Sequence, residues 1–393
     1  MSRRLSGILL IFLMSVMALS PLAMGADSDG DGVEDSVDDC RWAAGTSTVD
    51  RDGCPDRDGD GTSDFNDGWS INNPNFQNEF TTNSNVNYND VDYSPSGEFI
   101  VTGSEDGFVR IWNASTHINT RSVNANTNSG DVTSVAWSPD GQYIAAGLDD
   151  DTMNIYHSTN LSSVHGSIGV DVGSGDYVND VEFSPDSSLV AVSIGRSGNG
   201  GTNGQIFLIQ VADGLNLHSL NPNGEDRFYD AAFSPDGEHI AVAGNGDFYV
   251  SNVSSQATIW SITDPSASVN AIAWSPDGNY IAMCGGWEGS SASFDMYEFN
   301  GVSWTRIWQK TVSTSCASVD FSHDSLQVVA GMYWYQADGN TARVYYSDSG
   351  VQVDSFSGPR PGSCSSGNNN NCGQMNGITW SPDGTHIVTA HGR

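Results

Sequence analysis

Short runs in which every second residue is apolar recur along the chain from residue 86 onward, and each run ends in an aromatic side chain. In the runs Val91–Tyr93 and Val135–Trp137, for example, the apolar side chains fall on one face, which is typical of a β-strand with a single packed face. A turn follows each run, and a second strand such as EFIVTGS and a third such as GFVRIWN complete most units. The pattern therefore predicts antiparallel hairpins rather than helices.

The turn after each run occurs in seven copies, at steps of 41 to 59 residues. The copies are SPSG at 94–97, SPDG at 138–141, SPDS at 184–187, SPDG at 234–237, SPDG at 275–278, SHDS at 322–325 and SPDG at 381–384. Units of about 40 to 50 residues with several strands each are typical of propeller blades. We predict an all-β fold, a seven-bladed β-propeller of four-stranded antiparallel blades over residues 86–393. Because one strand follows the last turn, we expect an incomplete last blade or a truncated sequence, with 69–85 as a linker that can supply a closing strand.

The first complete unit, VNYNDVDYSPSGEFIVTGSEDGFVRIWN, resembles a WD repeat, because Asp106 to Trp112 follow that family's DG-x-V-x-IW ending. The Gly-His pair of the family is absent from this unit, so the side-chain network built on that histidine is not carried over. Other propellers with SPDG turns, including the TolB-like ones, are similar to nearly the same degree. Either resemblance implies seven four-stranded blades.

The net charge and the N-terminal residues limit the kinds of partner and the cellular location that the sequence allows. The chain has 48 Asp and Glu against 14 Lys and Arg, a net charge of −34, which disfavours nucleic acid and anionic membranes as partners. Residues 1–26 combine Arg3 and Arg4, an apolar run from Ile8 to Leu19, and small residues near Ala23, which is typical of a signal peptide. An uncleaved membrane anchor is the alternative. We expect a secreted, periplasmic or cell-surface protein without membrane insertion of its mature region.

Residues 27–68 are acidic and almost free of apolar side chains, so they cannot fold around a hydrophobic core. Two stretches, DSDGDGVEDSVD and DRDGDGTSDFND, repeat one spacing of aspartates around a glycine, which is the oxygen-ligand spacing of a twelve-residue Ca²⁺ loop. No amphipathic helix flanks either stretch, and the segment instead resembles the type 3 repeats of thrombospondin. That resemblance implies a calcium-stabilised irregular segment with Ca²⁺ on Asp27, Asp29, Asp31, Asp35, Asp38, Asp56, Asp58, Asp60, Asp64 and Asp67. A solvated acidic linker is the alternative.

Six cysteines allow fifteen pairings, so the sequence alone does not settle their connectivity. Export favours disulfides over free thiols. Proximity along the chain suggests Cys40–Cys54 and Cys364–Cys372, which leaves Cys284–Cys316. In the propeller, Cys284 ends a strand of the fifth unit near the start of the sixth, where Cys316 lies, so this pair is expected to join two neighbouring blades.

Ligand-binding and catalytic candidates are few. The long loops on the face opposite the SPDG turns carry Trp287, Tyr333, Trp334 and Tyr335, which are suited to stacking on a ligand such as a sugar or to packing between the loops. No linear catalytic motif occurs, but a propeller can assemble a site around its central channel, where Asp90, Asp180 and Asp230 are expected to face.

The sequence therefore favours an exported, calcium-binding protein whose propeller is a non-enzymatic protein-interaction or adhesion platform, with an unknown protein or surface glycan as partner. The alternative is a carbohydrate-binding or hydrolytic propeller, with its site at the channel or on the long-loop face.

Overall fold

A computed structural model describes residues 86–125, 130–170, 176–196, 204–221, 227–244, 246–263, 268–286, 292–301, 303–312, 316–332, 341–356 and 375–391. The chain divides into two units, Met1–Trp69 and Ser70–Arg393, and all of these residues belong to the second unit. They form 26 β-strands. No helix among them is long and apolar enough to cross a membrane.

The strands form consecutive antiparallel sheets, and each sheet is built from one repeat of the sequence. Within a blade the first strand lies innermost and the fourth outermost, in chain order. Blade 1 contains β1 (Tyr88–Tyr93), β2 (Phe99–Ser104), β3 (Phe108–Asn113) and β4 (Asn119–Asn124). Blade 2 contains β5 (Val132–Trp137), β6 (Tyr143–Leu148), β7 (Thr152–His157) and β8 (Ser163–Gly169). Blade 3 contains β9 (Asp176–Phe183), β10 (Leu189–Arg196), β11 (Ile206–Gln210) and β12 (Asn216–Leu220).

The second half of the propeller repeats the same order. Blade 4 contains β13 (Phe228–Phe233), β14 (His239–Gly244), β15 (Asp247–Asn252) and β16 (Thr258–Thr263). Blade 5 contains β17 (Val269–Trp274), β18 (Tyr280–Gly285), β19 (Ala292–Phe299) and β20 (Trp304–Val312). Blade 6 contains β21 (Cys316–Phe321), β22 (Gln327–Met332), β23 (Ala342–Tyr346) and β24 (Gln352–Phe356). The last sheet contains β25 (Met375–Trp380) and β26 (Ile387–His391).

The all-β propeller with four-stranded antiparallel blades is confirmed, but the expected number of seven such blades is wrong. Six blades have four strands, and the last repeat forms a two-stranded sheet within the described residues. This sheet lies between blades 6 and 1, because Met375 and Ile378 pack with Val344 of blade 6, whereas Ala390 packs with Val91 of blade 1. A two-stranded sheet therefore closes the ring.

The hydrophobic core lies between the sheets. Each buried cluster joins side chains of two neighbouring sheets, as Val101 and Ile111 of blade 1 do with Val135 and Ile144 of blade 2. The cluster between blades 5 and 6 includes Phe294 and Trp308 on one side and Val328 on the other. Because burial of apolar surface stabilises each junction, the alternating pattern of the strands dictates face-to-face packing of the blades.

The SPDG turn closes each hairpin with its own side chains. In blade 2, the Ser138 hydroxyl donates to Asp140 at 2.6 Å and accepts the Tyr143 N–H at 2.8 Å, and Asp140 in turn accepts the Gln142 N–H at 2.9 Å. Gly141 takes the left-handed φ of 76° that the turn requires. The turns and the hairpins between third and fourth strands share one face of the ring, which we call the turn face.

Two turns have serine where the others have glycine, and the structure explains both. Ser187 and Ser325 adopt positive φ of 61° and 63°, which is costly for a residue with a Cβ atom. Each hydroxyl accepts a backbone N–H from the preceding blade's turn, at 3.0 Å from Asp140 N and at 3.0 Å from Asp277 N. At these two turns, a hydrogen bond between blades offsets the cost of the strained serine backbone.

Candidate functional site

The innermost strands of all seven sheets surround a central channel with a cavity of about 700 Å³. Because side chains alternate along a strand, residues two positions apart face the channel together. The predicted channel residues Asp90, Asp180 and Asp230 line this cavity. We define the first channel position as these three residues and their equivalents in the other innermost strands.

Sequence reasoning missed three further channel carboxyl groups. Asp92, Glu182 and Asp320 also line the cavity. Asp92 and Glu182 lie two residues after Asp90 and Asp180, and Asp320 lies two residues after Ser318, so all three occupy a second channel position on the same strand face. The period of two in the innermost strands was the signal that could have found them.

The channel carboxylates hold neighbouring sheets together. Asp90 Oδ2 of blade 1 accepts the Val135 N–H of blade 2 at 2.9 Å, and Asp92 Oδ2 accepts the Trp137 N–H at 2.7 Å. The same connection links blade 4 to blade 5, where Ile272 N donates to Asp230 Oδ2 at 2.8 Å.

Second-position carboxylates repeat this bridge elsewhere in the ring. Phe233 N of blade 4 donates to Glu182 Oε2 of blade 3 at 3.0 Å, and Trp380 N of the last sheet donates to Asp320 Oδ2 of blade 6 at 2.7 Å. Each acidic side chain thus accepts an amide hydrogen from the inner strand of the following sheet. These N–H groups are not available to the ladder of their own sheet, so the carboxylates satisfy donors that would otherwise be buried without a partner.

One side of the channel is lined by Ser134 and by the carboxyl groups of Asp180 and Asp230. The Ser134 hydroxyl lies 2.9 Å from Asp90 Oδ2 and 3.0 Å from Asp180 Oδ1, so it connects blades 1, 2 and 3. Asp180 and Asp230 both line this side of the channel and interact through their charges. Since two carboxylates repel, the charge of Asp180 contributes to the raised pKa of Asp230.

Burial raises the pKa of every one of these carboxyl groups. Desolvation is the main cause, and it raises the pKa of Asp90 and Asp92 to about 7 and the pKa of Asp180 and Asp320 to about 6. The pKa values of Glu182 and Asp230 also lie well above their ordinary values, for the same reason and because of the nearby charge of Asp180.

The channel is therefore lined by acids that hold protons near neutral pH. Such groups are able to donate protons or hydrogen bonds, but one oxygen of each already accepts a backbone N–H of the next blade.

Comparison with known families identifies the repeats. The family model described as WD domain, G-beta repeat, matches residues 75–113, 119–157 and 256–290. The chain contains WD40 repeats. The β-propeller domain of Cps50 (Swd1) from Myceliophteria thermophila superimposes with a TM-score of 0.61 at 14% sequence identity, covering 78% of this chain and 94% of that one. This likeness shows the fold alone. Comparison with curated protein sequences finds no significant match.

The turn face of the WD40 propeller carries the exposed apolar side chains of the described residues. Every large hydrophobic residue with high exposure lies in or beside a hairpin between the third and fourth strands of a blade. They are Ile118, Leu215, Leu217, Ile259, Phe299 and Val351, with exposures between 41% and 63%. They belong to blades 1, 3, 4, 5 and 6, so apolar groups are spread around the rim of this face.

Several predicted site residues lie outside the described residues. These are the ten aspartates assigned to Ca²⁺, the loop aromatics Trp287, Tyr333, Trp334 and Tyr335, and the pairs Cys40–Cys54 and Cys364–Cys372. The third pair lies within them, and the structure contains a disulfide between Cys284 of β18 and Cys316 of β21. It joins blades 5 and 6 of the WD40 propeller.

One group of possible metal ligands occurs in the described part of the chain. Asp236, Glu238 and His239 bring their ligand atoms within 4.8 Å of one another on the turn face. Asp236 already accepts the Ser234 hydroxyl at 2.5 Å and the Glu238 N–H at 2.9 Å, as its equivalents do in the other SPDG turns. The geometry is that of the repeated turn, and we assign no metal to it.

Proposed function

We propose that this protein is an exported, calcium-binding protein whose WD40 propeller is a platform for binding another protein. The observation that carries the proposal is the use of the channel carboxylates. They bind backbone N–H groups of the following blade, as Asp90 does at Val135, and so serve the rigidity of the ring. A rigid ring with exposed apolar groups on one face fits a binding role better than a catalytic one.

The turn face is the proposed binding surface. Ile118, Leu215 and Val351 each follow the left-handed residue of a tight hairpin, His117, Gly214 or Gly350, so the backbone fixes their positions. Apolar side chains held on rigid turns lose little conformational entropy when a partner covers them. The partner is therefore a protein surface with apolar groups rather than a nucleic acid, which the net charge of −34 repels.

Affinity capture tests the platform with a matched pair of variants. The tagged protein is used to capture extracellular proteins, and the partner is identified and purified. We expect the triple variant Ile118→Ser, Leu215→Ser, Val351→Ser to weaken binding of that purified partner at least about tenfold, because each lost apolar contact contributes roughly 1 kcal/mol.

The control substitutes the adjacent exposed residues instead, as Asn119→Ser, Asn216→Ser, Gln352→Ser. If the parent and the variant with serine at positions 118, 215 and 351 bound the partner equally well, the turn face would not be the binding surface.

Export and calcium binding rest on the sequence. The segment with signal-peptide character at 1–26 supports export, and the Cys284–Cys316 disulfide agrees with an oxidising compartment. The repeated aspartate register in 27–68 supports calcium binding. Isothermal titration of the full mature chain tests it: we expect heat of binding at millimolar Ca²⁺, its loss in Asp31→Asn, Asp60→Asn, and its retention in the exposed control Glu98→Gln. Absence of heat in the parent would refute calcium binding.

A second candidate function is hydrolysis or sugar binding in the channel. The observation that favours it is that the acidic residues Asp180 and Asp230 both line a cavity of about 700 Å³, and that the pKa of Asp230 is raised by burial and by the charge of Asp180. Screening with glycan and peptide substrates tests this candidate, with Asp180→Asn expected to abolish any turnover. Glycan-array binding that disappears in Trp287→Ala, Trp334→Ala would favour a sugar site on the long loops instead.

A further inference from the structure

The junction between blades 5 and 6 differs from the other junctions on its channel side. Both channel positions of β17 are alanines, Ala271 and Ala273, whereas every other innermost strand has an acidic or hydroxyl side chain at one or both of these positions. The one channel-side amide, Asn270, donates to Gly286 O within its own blade at 3.2 Å. Among the described residues, no side chain of β17 is hydrogen-bonded to β21.

Every other junction has such a bond on its channel side. Asp90, Ser134, Asp180 and Asp230 bridge the first four junctions through backbone N–H groups of the following blade. Ser318 and Asp320 bridge blade 6 to the last sheet. Asn376 Nδ2 donates to Tyr88 O at 2.8 Å where the last sheet meets blade 1. The junction of blades 5 and 6 is therefore the exception within the described chain.

The disulfide occupies the place next to the missing bridge. Cys284 lies directly opposite Ala271 in the β17–β18 ladder, and Cys284 and Cys316 are both fully buried. In blades 1 and 2 the residue opposite the first channel position is Gly103 or Gly147. A Cβ atom at Gly103 would lie 2.7 Å from Val132, and one at Gly147 would lie 2.4 Å from Val178.

Val132, Val178 and Cys316 are the equivalent residues at the start of the next innermost strand. The cysteines thus replace a repeated contact between a glycine and a β-branched side chain. The Cα atoms of Cys284 and Cys316 are 5.6 Å apart, which is the ordinary separation across a disulfide.

We infer that the Cys284–Cys316 disulfide replaces the channel hydrogen bonds at the junction of blades 5 and 6 and makes this junction a redox-sensitive seam of the ring. A dithiol supplies two electrons and two protons, is itself oxidised to a disulfide, and leaves two thiols at Cys284 and Cys316. The channel-side half of the junction then opens more often. The rest of the junction stays closed, because Trp308 Nε1 of the outermost strand donates to Ser347 O at 2.7 Å and Ser325 accepts the Asp277 N–H on the turn face at 3.0 Å.

Amide hydrogen exchange of the full chain tests whether loss of the disulfide opens this junction. The variant used has the residues that occur at the equivalent positions of another junction. Cys284→Gly, Cys316→Val copies the Gly103 and Val132 contact, so it removes the disulfide without leaving buried hydroxyl groups. We expect amide protection in 269–274 and 316–321 to fall at least about tenfold, while 88–93 and 132–137 keep theirs. Treatment of the parent with dithiothreitol is expected to give the same pattern, and it replaces the variant if that does not fold.

A rescue experiment tests whether the disulfide takes the place of a channel hydrogen bond between the two blades. Ala271→Asp, added to Cys284→Gly, Cys316→Val, places a carboxylate where Asp90 lies in blade 1 and is expected to restore most of the protection through Val319 N. Ala136→Asp is the matched control, because it adds the same charge to the channel at a junction that Ser134 already bridges. Unchanged or uniformly lowered protection after disulfide removal, or equal rescue by both aspartates, would overturn the inference.

Discussion

The junction of blades 1 and 2 and the junction of blades 5 and 6 hold equivalent strands together by different chemistry. At the first, Asp90 and Asp92 accept backbone N–H groups of β5 through half-buried side chains whose pKa is raised to about 7. At the second, alanines occupy those positions and a disulfide joins the blades. Polar bridges and a covalent bond are thus alternative means of closing the same repeated gap, but the first responds to pH and the second to reductant.

The largest expected effect is a loss of stability with rising pH. An acid whose folded-state pKa is raised binds its proton more tightly in the folded than in the unfolded chain, so its stabilisation is complete at low pH and is lost as pH rises through the folded pKa. Asp90 alone, raised from 3.8 to about 7, accounts for about 4 kcal/mol. We expect the free energy of unfolding, measured with urea, to fall by at least that amount between pH 4 and pH 8.

A control distinguishes titration of the channel carboxyl groups from titration of the other acidic residues of the chain. Asp90→Asn, Asp180→Asn, Asp230→Asn keeps acceptor oxygens but removes the titration of these three groups, and is expected to reduce the pH dependence of the free energy of unfolding. The exposed change Glu98→Gln is expected to leave it intact. A slope that is the same in all three proteins would contradict the assignment.

A transplanted disulfide is expected to have the next largest effect. Gly147→Cys, Val178→Cys puts cysteines at the positions of Cys284 and Cys316 at the junction of blades 2 and 3, and the bond is expected to stabilise the oxidised protein by about 3 kcal/mol. Thermal melts with and without dithiothreitol measure this. Gly147→Ala alone is the control and is expected to destabilise, because its Cβ would lie 2.4 Å from Val178. Failure of the two thiols to pair would show that the junctions are not equivalent.

Removing one carboxylate bridge is expected to cost less. Asp90→Ala leaves the Val135 N–H buried without an acceptor, and we expect a loss of about 2 kcal/mol in urea unfolding at pH 5. Asp90→Asn is the matched control and is expected to retain most of that stability. Equal losses in the two variants would mean that the acceptor atom contributes little.

The smallest effect is expected at the turn face of the disulfide junction. Ser325→Ala removes the acceptor of the Asp277 N–H and keeps a Cβ atom at a φ of 63°, so we expect a loss of about 1 kcal/mol. The loss is expected to be larger in the Cys284→Gly, Cys316→Val background, where less holds the junction. Double-mutant analysis of urea unfolding measures this coupling, and strict additivity would show that the two contacts are independent.

Much of the fold follows from local sequence. The SPDG turns and the alternating runs before them dictate the hairpins, and their period indicates a propeller. The same alternation places Asp90, Asp180 and Asp230 in the channel, as predicted. Asp92, Glu182 and Asp320 were missed, because a carboxylate in an alternating strand fits an exposed position equally well until the ring closes around it.

The number of complete blades was predictable only in part. All seven turns look alike in sequence, and a turn specifies the two strands that flank it but not the outer pair. An incomplete last blade was one of the two expectations for the last repeat, and β25 and β26 form a two-stranded sheet in the described chain. The disulfide between Cys284 and Cys316 was predicted from their places in neighbouring units, although six cysteines allow fifteen pairings, and the structure contains it. What makes it favourable is the recess at a glycine position, which only the packed blades show.

That recess bears on how such a ring can be altered. At Gly103, Gly147 and Gly331, a Cβ atom would meet a side chain near the start of the following inner strand, Val132, Val178 or Met375, so the same contact recurs at three junctions. A duplicated or exchanged repeat would carry its half of this contact to a new neighbour, and two cysteine substitutions would convert the contact into a covalent link.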